Sequence, residues 1–374
     1  MKQVVIAGYA RTPFTLANKG ELARVRPDEL AATAVKGLVA KTGIDGKDIE
    51  DLIMGCAFPE GEQGLNVARL VVFLAGLPIS VGGVTVNRFC GSSMQGIHQA
   101  AGAIQMNAGH AFICAGVESM TRVPMAGFNP SPNPQLYEET PNAYVSMGIT
   151  AENLAKKYGI SRADQEVFAV ASHQKAAAAQ QAGKLTEEII PVGAVSKDGC
   201  IRPETTLETL AGLKLAFDEK GTVTAGTSSP LTDGASATLV CSEEFAKAHG
   251  LPILARIKSI AVSGCAPEIM GIGPVLSSQK ALERAGLSVN DLDIIELNEA
   301  FSAQSLACIR DLNLDLAKIN LDGGAIALGH PLGATGARIT GKAASLLKRE
   351  GKQFALASQC IGGGQGIATI LEAV

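Results

Sequence analysis

Apolar runs along this chain are short and punctuated by glycine, and one arrangement of them occurs twice. Gly43-Ile44 is followed by Asp48-Ile49-Glu50-Asp51-Leu52-Ile53-Met54-Gly55-Cys56-Ala57-Phe58. Gly286-Leu287 is followed in the same way by Asp291-Leu292-Asp293-Ile294-Ile295-Glu296-Leu297-Asn298-Glu299-Ala300-Phe301. Each copy predicts a helix stopped by glycine, a capping aspartate, a buried strand, and a polar or small residue ahead of Ala-Phe. The chain reads as two duplicated halves.

The repeat extends further. Val84 to Asn87 is strand-like, Cys90 opens an Ala/Gly-rich helical stretch to Asn107, and Ala111-Phe112-Ile113-Cys114-Ala115 is a strand. In the second half Ile319 to Leu321 is strand-like, Gly329 to Gly336 reads as a loop, a helical stretch reaches Arg349, and the strand from Phe354 leads to Cys360. Cys90 and His330 therefore fall at nearly equivalent strand-to-helix turns, which meet if the halves pack about a pseudo-twofold. Residues 119–231 differ in character: Thr121 to Pro141 is rich in Pro, Asn and Ser and reads as surface loop, and Ala151 to Gln181 reads as helix around the capping pattern Ser161-Arg162-Ala163-Asp164. This predicts one half formed by 1–118 with 232–250, an insertion at 119–231, and a second half at 251–374. Inserted loops on a rigid scaffold commonly bind the ligand.

Composition narrows the class. With 374 residues and 47% hydrophobic content the chain can bury a large core, and 18% charge with abundant Ala and Gly fits a close-packed α/β enzyme. A net charge of -4 offers no basic field for nucleic acid. No apolar run is long enough to span a membrane or resembles a secretory signal, so the cytoplasm is the expected location. The eight cysteines stand singly, which argues against a disulfide framework or a zinc ribbon and makes a small buried hydrophobe the ordinary reading of any one of them.

Two cysteines depart from that reading. Cys90 lies in Asn87-Arg88-Phe89-Cys90-Gly91-Ser92-Ser93-Met94 at a predicted helix N-terminus, where unpaired N–H groups favour a thiolate and open amides can bind an oxyanion. Cys360 lies in Gln359-Cys360-Ile361-Gly362-Gly363-Gly364-Gln365-Gly366, a turn with no bulk where a ligand would approach. A nucleophile and a structural thiol are both consistent with Cys90. Among five histidines only His330 sits in a glycine-rich, Pro-broken loop, where it is either a base or a helix cap; His98 and His173 in helical patterns and His110 and His249 beside glycines read as solvated or capping. Asn298 and Glu299 follow a buried strand at its carboxyl end, where α/β sheets place active sites, although capping alone accounts for either. A zinc site from Cys90, His330 and Cys360 is disfavoured by the absence of paired ligand spacing, and no metal is expected.

These segments, with Gly116-Val117-Glu118-Ser119-Met120, Gly221 to Gly226 and Gly323 to Arg338, resemble thiolases in the same order over essentially the whole chain. The likeness is nearest to the bacterial β-oxidation branch acting on 3-ketoacyl-CoA, notably in Arg88-Phe89-Cys90 and Thr227-Ser228-Ser229. The resemblance implies an α/β thiolase fold of duplicated βαβ-rich halves in five layers (αβαβα) with an inserted loop domain that holds coenzyme A. It implies Cys90 as the acylated nucleophile, His330 as its base and an oxyanion donor, Cys360 as acid/base, Asn298 as the holder of a water, and the Gly362 amide as an oxyanion donor. Ser229 and Ala225 would meet the pantetheine, Met147 and Phe301 would wall the thioester, and Arg202 would lie near the adenine. Coenzyme A is then a substrate, with no permanently bound cofactor. A homodimer or homotetramer follows, with a β-oxidation hydratase/dehydrogenase subunit as a further partner. Two rival readings are a biosynthetic acetoacetyl-CoA thiolase and a catalytically silent acyl-CoA-binding subunit. Thr227-Ser228-Ser229-Pro230 and Ser146 depart from the commonest biosynthetic pattern and favour the degradative reading.

Overall fold

The computed structural model describes residues 2–374. Its strands are β1 (Val4–Arg11), β2 (Thr15–Leu16), β3 (Asp51–Gly55), β4 (Gly82–Val86), β5 (Ala111–Ser119), β6 (Thr232–Ser242), β7 (Ala255–Gly264), β8 (Ile294–Leu297), β9 (Phe354–Ile361) and β10 (Gln365–Glu372). The first half is ordered β4-β3-β5-β6-β1 and the second β7-β10-β9-β8, with β2 appended to β6. Two antiparallel pairs, Val5 with Arg256 and Ile6 with Ala255, join the halves. The isolated bridge of Ile319 to Ile295 beside β8 fills the place that β4 holds beside β3. The repeat read from the sequence is thus a spatial repeat, in which β3 corresponds to β8, β5 to β9, β6 to β10 and β1 to β7.

Alternation along the strands explains the layering. Leu52 and Met54 of β3 pack with Leu30, Leu38 and Val71 of the outer helices Pro27–Thr42 and Val67–Leu74, whereas Ile53 packs with Ile97 and Ile104 of the helix Ser92–Gln105. In the second half Leu297 and Leu356 meet Leu282 and Ile309 of the outer helices Gly273–Ala285 and Ser302–Leu312, while Ile294 and Ala357 meet Ile339 and Leu346 of the helix Leu332–Glu350. Helix, sheet, paired central helices, sheet and helix make five layers. Strands covered on both faces are mostly apolar on both, which is why Leu52-Ile53-Met54 of β3 reads as a continuous hydrophobic run; β8 interrupts its run with Glu296, buried against Arg338 at 2.9 Å.

The two central helices approach closely because glycine lets them. A Cβ on Gly336 would lie 2.3 Å from Met94 N, and one on Gly116 would lie 2.1 Å from Gly333 O. The helix beginning at Leu332 starts earlier than the loop predicted to run to Gly336, and a short helix, Ala325–Leu328, precedes it. Within 119–231 the surface-loop reading of Thr121 to Pro141 meets a short helix at Pro134–Glu139, and the predicted helical stretch divides into Met147–Tyr158 and Arg162–Gln181, with Ser161 forming a full capping box with Asp164.

A buried ionic cluster ties this segment to both halves. Lys342 of the central helix contacts Glu188 at 2.9 Å and Asp322 at 2.6 Å, and Arg11 of β1 contacts Glu188 at 2.8 Å and Asp198 at 2.6 Å. Once desolvated, such groups depend on one another, and removing one leaves its partners with uncompensated charge. Lys342→Met is therefore expected to lower unfolding stability by about 3–5 kcal/mol. Urea denaturation measures this; a midpoint within error of the parent would show that the cluster does not hold the layers together.

Candidate active site

The turn carrying Cys90 is built from its own polar neighbours. Asn87 Nδ2 donates to Ala57 O at 3.0 Å and Asn87 Oδ1 accepts from Phe89 N at 2.8 Å. Ser92 Oγ accepts from Arg88 N at 2.9 Å and donates to Phe89 O at 2.5 Å. These bonds hold Phe89 at φ 44°, a left-handed conformation that bulky residues avoid and that occurs where surrounding contacts over-determine it. Cys90 follows, one position before the N-cap Gly91 of helix Ser92–Gln105. Gly91 is required by contact: a Cβ there would lie 2.6 Å from Ile361 Cδ1. The turn is thus pressed against the end of β9, which carries Cys360.

The amides of Gly362 and of Cys90 itself favour the Cys90 thiolate, and the Cys90 sulfur adds to the rise of the Cys360 thiol. His330 enters from the opposite half. Its backbone N donates to Thr232 Oγ1 at 3.0 Å, its Nδ1 lies 2.6 Å from Thr335 Oγ1, and its Nε2 lies 3.4 Å from Asn298 Nδ2. Thr335 Oγ1 donates its one proton to Pro331 O at 3.0 Å, so the imidazole supplies the proton of the Nδ1 contact. This network assigns the Nδ1–H tautomer and leaves the Nε2 lone pair facing Asn298. Asn298 is fully buried and its Oδ1 has no partner among the described residues.

Electrostatics reverse one expectation. A helix N-terminus favours a thiolate, yet burial pushes the Cys90 thiol up to about 12, outweighing the opposing Gly362 amide, with the Glu118 carboxylate adding to the rise. Cys90 keeps partial solvent exposure, but it is densely surrounded and desolvation prevails. Burial also lifts Cys360 well above the usual thiol range and, with Arg338 nearby, depresses His330 to about 3. The resting site is a thiol, a neutral imidazole and a second thiol. A neutral imidazole whose Nε2 lone pair is engaged, among the described residues, only by the Asn298 amide at 3.4 Å is a proton acceptor.

Of the remaining predicted residues, Met147 and Phe301 group around Cys360. Cys360, Met270, Ala300, Phe301, Val223 and the partly buried Met147 form one apolar cluster, and Met147 Sδ would lie 3.5 Å from a Cβ on Gly362. Ser229 N donates to Ala300 O at 2.9 Å, which holds the segment containing Ala225 against Asn298 to Phe301; Ala225 itself is exposed. The Phe217 ring packs edge-on to Phe301 at 5.8 Å and lines an open groove of about 480 Å³ that also includes Lys214 and Leu215. Arg202 is exposed and donates its backbone N to His173 Nδ1 at 3.1 Å, apart from the Cys90 cluster.

Two histidines differ from expectation: His98 is buried against Thr369 Oγ1 at 2.9 Å, and His173 is buried under Arg202 rather than solvated. Glu299 is a buried acceptor, receiving Ser172 Oγ at 2.6 Å, Asn320 Nδ2 at 2.7 Å and Ile326 N at 3.2 Å, and so fastens the 119–231 segment to the second half. Glu118, Thr335 and Gln359 were not singled out by sequence. For Glu118 and Gln359 the available signal was a polar side chain inside an otherwise apolar strand. Among the described residues no group of three or more His, Cys, Asp or Glu is arranged to hold a metal, and no helix is long and apolar enough to cross a membrane.

The duplicated α/β fold, with the Cys90 turn pressed against the end of the strand that carries Cys360 and with His330 beside Asn298, is that of one class of α/β enzymes. The chain belongs to the thiolase family: the thiolase N-terminal domain matches residues 4–244 and the thiolase C-terminal domain matches 251–373. It is 48% identical to a 3-ketoacyl-CoA thiolase of Bacillus subtilis (strain 168) and 52% identical to one of Shewanella oneidensis, in each case over 100% of both chains. It superposes on human mitochondrial 3-ketoacyl-CoA thiolase with TM-score 0.92 at 38% identity, covering 100% of this chain and 99% of that one. The same human enzyme in complex with CoA gives TM-score 0.93 at 38% identity, covering 100% of this chain and 98% of that one.

The raised thiol makes a direct prediction. Because Cys90 stays protonated until pH approaches its elevated value, its alkylation by iodoacetamide is expected to climb about tenfold per pH unit between about pH 7 and pH 10 without levelling. Mass spectrometry of the Cys90 peptide measures the rate. A plateau below about pH 8 would instead reveal a thiolate already present in the free enzyme.

Proposed function

We propose that this chain is an acyltransferase that cleaves 3-ketoacyl-CoA with coenzyme A, giving acetyl-CoA and an acyl-CoA two carbons shorter, in a reversible Claisen reaction. The observation that carries the reading is the full-length identity of 48–52% with proteins of that name. The placement of Cys90, Cys360, His330 and Asn298 supports it chemically.

In this mechanism Cys90 passes its proton to His330 Nε2 as the sulfur attacks the 3-keto carbon, and the amides of Cys90 and Gly362 receive the oxyanion. Collapse breaks the C2–C3 bond and expels the acetyl-CoA enolate, whose oxygen is met by protonated His330 and a water held by Asn298. Cys360 protonates the enolate carbon and becomes a thiolate. Coenzyme A then gives its thiol proton to Cys360 and attacks the acyl group, and the departing Cys90 sulfur recovers its proton from His330. Every group returns to its starting form. Both thiols begin protonated, which suits this cycle: one proton must leave Cys90 toward an acceptor, and one must be available on Cys360 for carbon.

Residues 119–231 serve in this reading as the coenzyme A-binding insertion between a half formed by 1–118 with 232–250 and a half formed by 251–374. Ser229 and Ala225 meet the pantetheine, Met147 and Phe301 wall the thioester, and Arg202 reaches the adenine end. The enzyme acts in the cytoplasm as a homodimer or a homotetramer. β4 supports such an assembly, because it ends the sheet with one edge unpaired among the described residues, and Leu65, Phe73, Ile79 and Val84 are exposed on or near it.

The test is acyl-enzyme mass together with turnover over a series of 3-ketoacyl-CoA chain lengths. The parent is expected to carry one acyl adduct on Cys90, Cys90→Ala to carry none, and Cys360→Ala to form the adduct while losing at least about 1,000-fold in turnover. An activity confined to four-carbon substrate would move the assignment to a biosynthetic acetoacetyl-CoA thiolase, and turnover retained by Cys90→Ala would end it.

A further inference from the structure

Gln359 stands immediately before Cys360 but faces the other way. Along β9, Ala355 and Ala357 pack toward the central helices and Leu356 toward the outer ones, so alternation turns Gln359 inward while Cys360 joins the cluster of Met270 and Phe301. The Gln359 side chain is fully buried, and its Nε2 donates to the carbonyl oxygen of Cys90. That carbonyl lies outside the ladder of helix Ser92–Gln105, whose first bond runs from Gln95 N to Gly91 O at 2.9 Å. Gln359 Oε1 has no partner among the described residues. A buried carboxamide is costly unless it is hydrogen-bonded, and the bond to Cys90 is the one polar contact this side chain has among them. Asn298 is its neighbour: β8 and β9 run parallel with Leu297 opposite Ser358, and Asn298 N donates to Ser358 O at 3.0 Å, so Asn298 and Gln359 share the inner face.

We propose that Gln359 is a positioning residue that sets the direction of the Cys90 thiol by anchoring its carbonyl. Fixing that carbonyl fixes ψ of Cys90, and with it the Cα–Cβ bond that aims the sulfur at the Gly362 amide. The turn needs such an anchor, because Phe89 at φ 44° does not hold its conformation by intrinsic preference. The inference rests on Cys90 being the acyl carrier.

Two variants test it, with the rate of Cys90 acylation read by quenched-flow mass spectrometry beside steady-state kinetics. Gln359→Met keeps length and volume without the donor and is expected to slow acylation roughly 10- to 100-fold with the KM for coenzyme A within about twofold of the parent. Gln359→Glu keeps the donor only while its carboxyl is protonated, and burial raises that carboxyl. This variant is expected to acylate near the parental rate at about pH 6 and to slow toward the Gln359→Met rate as pH rises, a limb the parent lacks. Acylation by Gln359→Met within about twofold of the parent overturns the proposal, as does a Gln359→Glu profile parallel to the parent's. If Gln359→Met does not fold, the Gln359→Glu profile decides alone. A parent that forms no adduct on Cys90 overturns the thiolase mechanism beneath it, a result distinct from either.

Discussion

One buried carboxylate holds the two halves of the active site in register. Glu118, at the end of β5, accepts from Ala57 N at 2.8 Å, Phe58 N at 3.2 Å and Gly333 N at 2.8 Å, and also from Gln63 Nε2. The first two amides belong to the turn after β3, onto which Asn87 and the Cys90 loop are hydrogen-bonded; the third opens the central helix that follows His330. A charge in the interior is tolerated only when donors surround it, so Glu118 constrains these chain segments to converge. The glycines at 116, 333 and 336 make the convergence sterically feasible. Glu118 also raises the Cys90 thiol, so the group that assembles the site contributes to its electrostatics.

Burial dominates the chemistry of that site. The same close packing that excludes water keeps both thiols protonated and the imidazole neutral, because charged forms lose their hydration before they gain a partner. The helix N-terminus behind Cys90 and the Gly362 amide act against this trend without reversing it. Charge therefore has to be created during the reaction, where the same amides face the developing oxyanion in a medium of low dielectric and are worth more than in water. An active site arranged this way stores little charge at rest and stabilises it where it appears.

Much of the framework was legible before the fold was known. The duplicated run ending at Phe58 and at Phe301 marked β3 and β8, and the equivalent turns at Cys90 and His330 were visible as glycine-rich breaks in helical patterns. Period and punctuation survive in sequence because strands buried on both faces are mostly apolar and left-handed turn positions favour glycine. Glu299 and the histidines at 98 and 173 were harder to read. Whether a polar side chain caps, catalyses or fills a core depends on its partners, and those of Glu299 lie 21, 27 and 127 positions away in the chain.

By itself the sequence determined the two-half architecture, the candidates Cys90, His330, Cys360 and Asn298, and the family to which they belong, since these follow from local periodicity and ordered motifs. Only the tertiary structure decided that the resting thiols are protonated, that His330 carries its proton on Nδ1, that Glu118 binds the turns together, and that Gln359 is bonded to the carbonyl of Cys90. Those properties arise from desolvation and from hydrogen bonds between distant segments. No local pattern encodes them, because they exist only once the two halves have closed on each other.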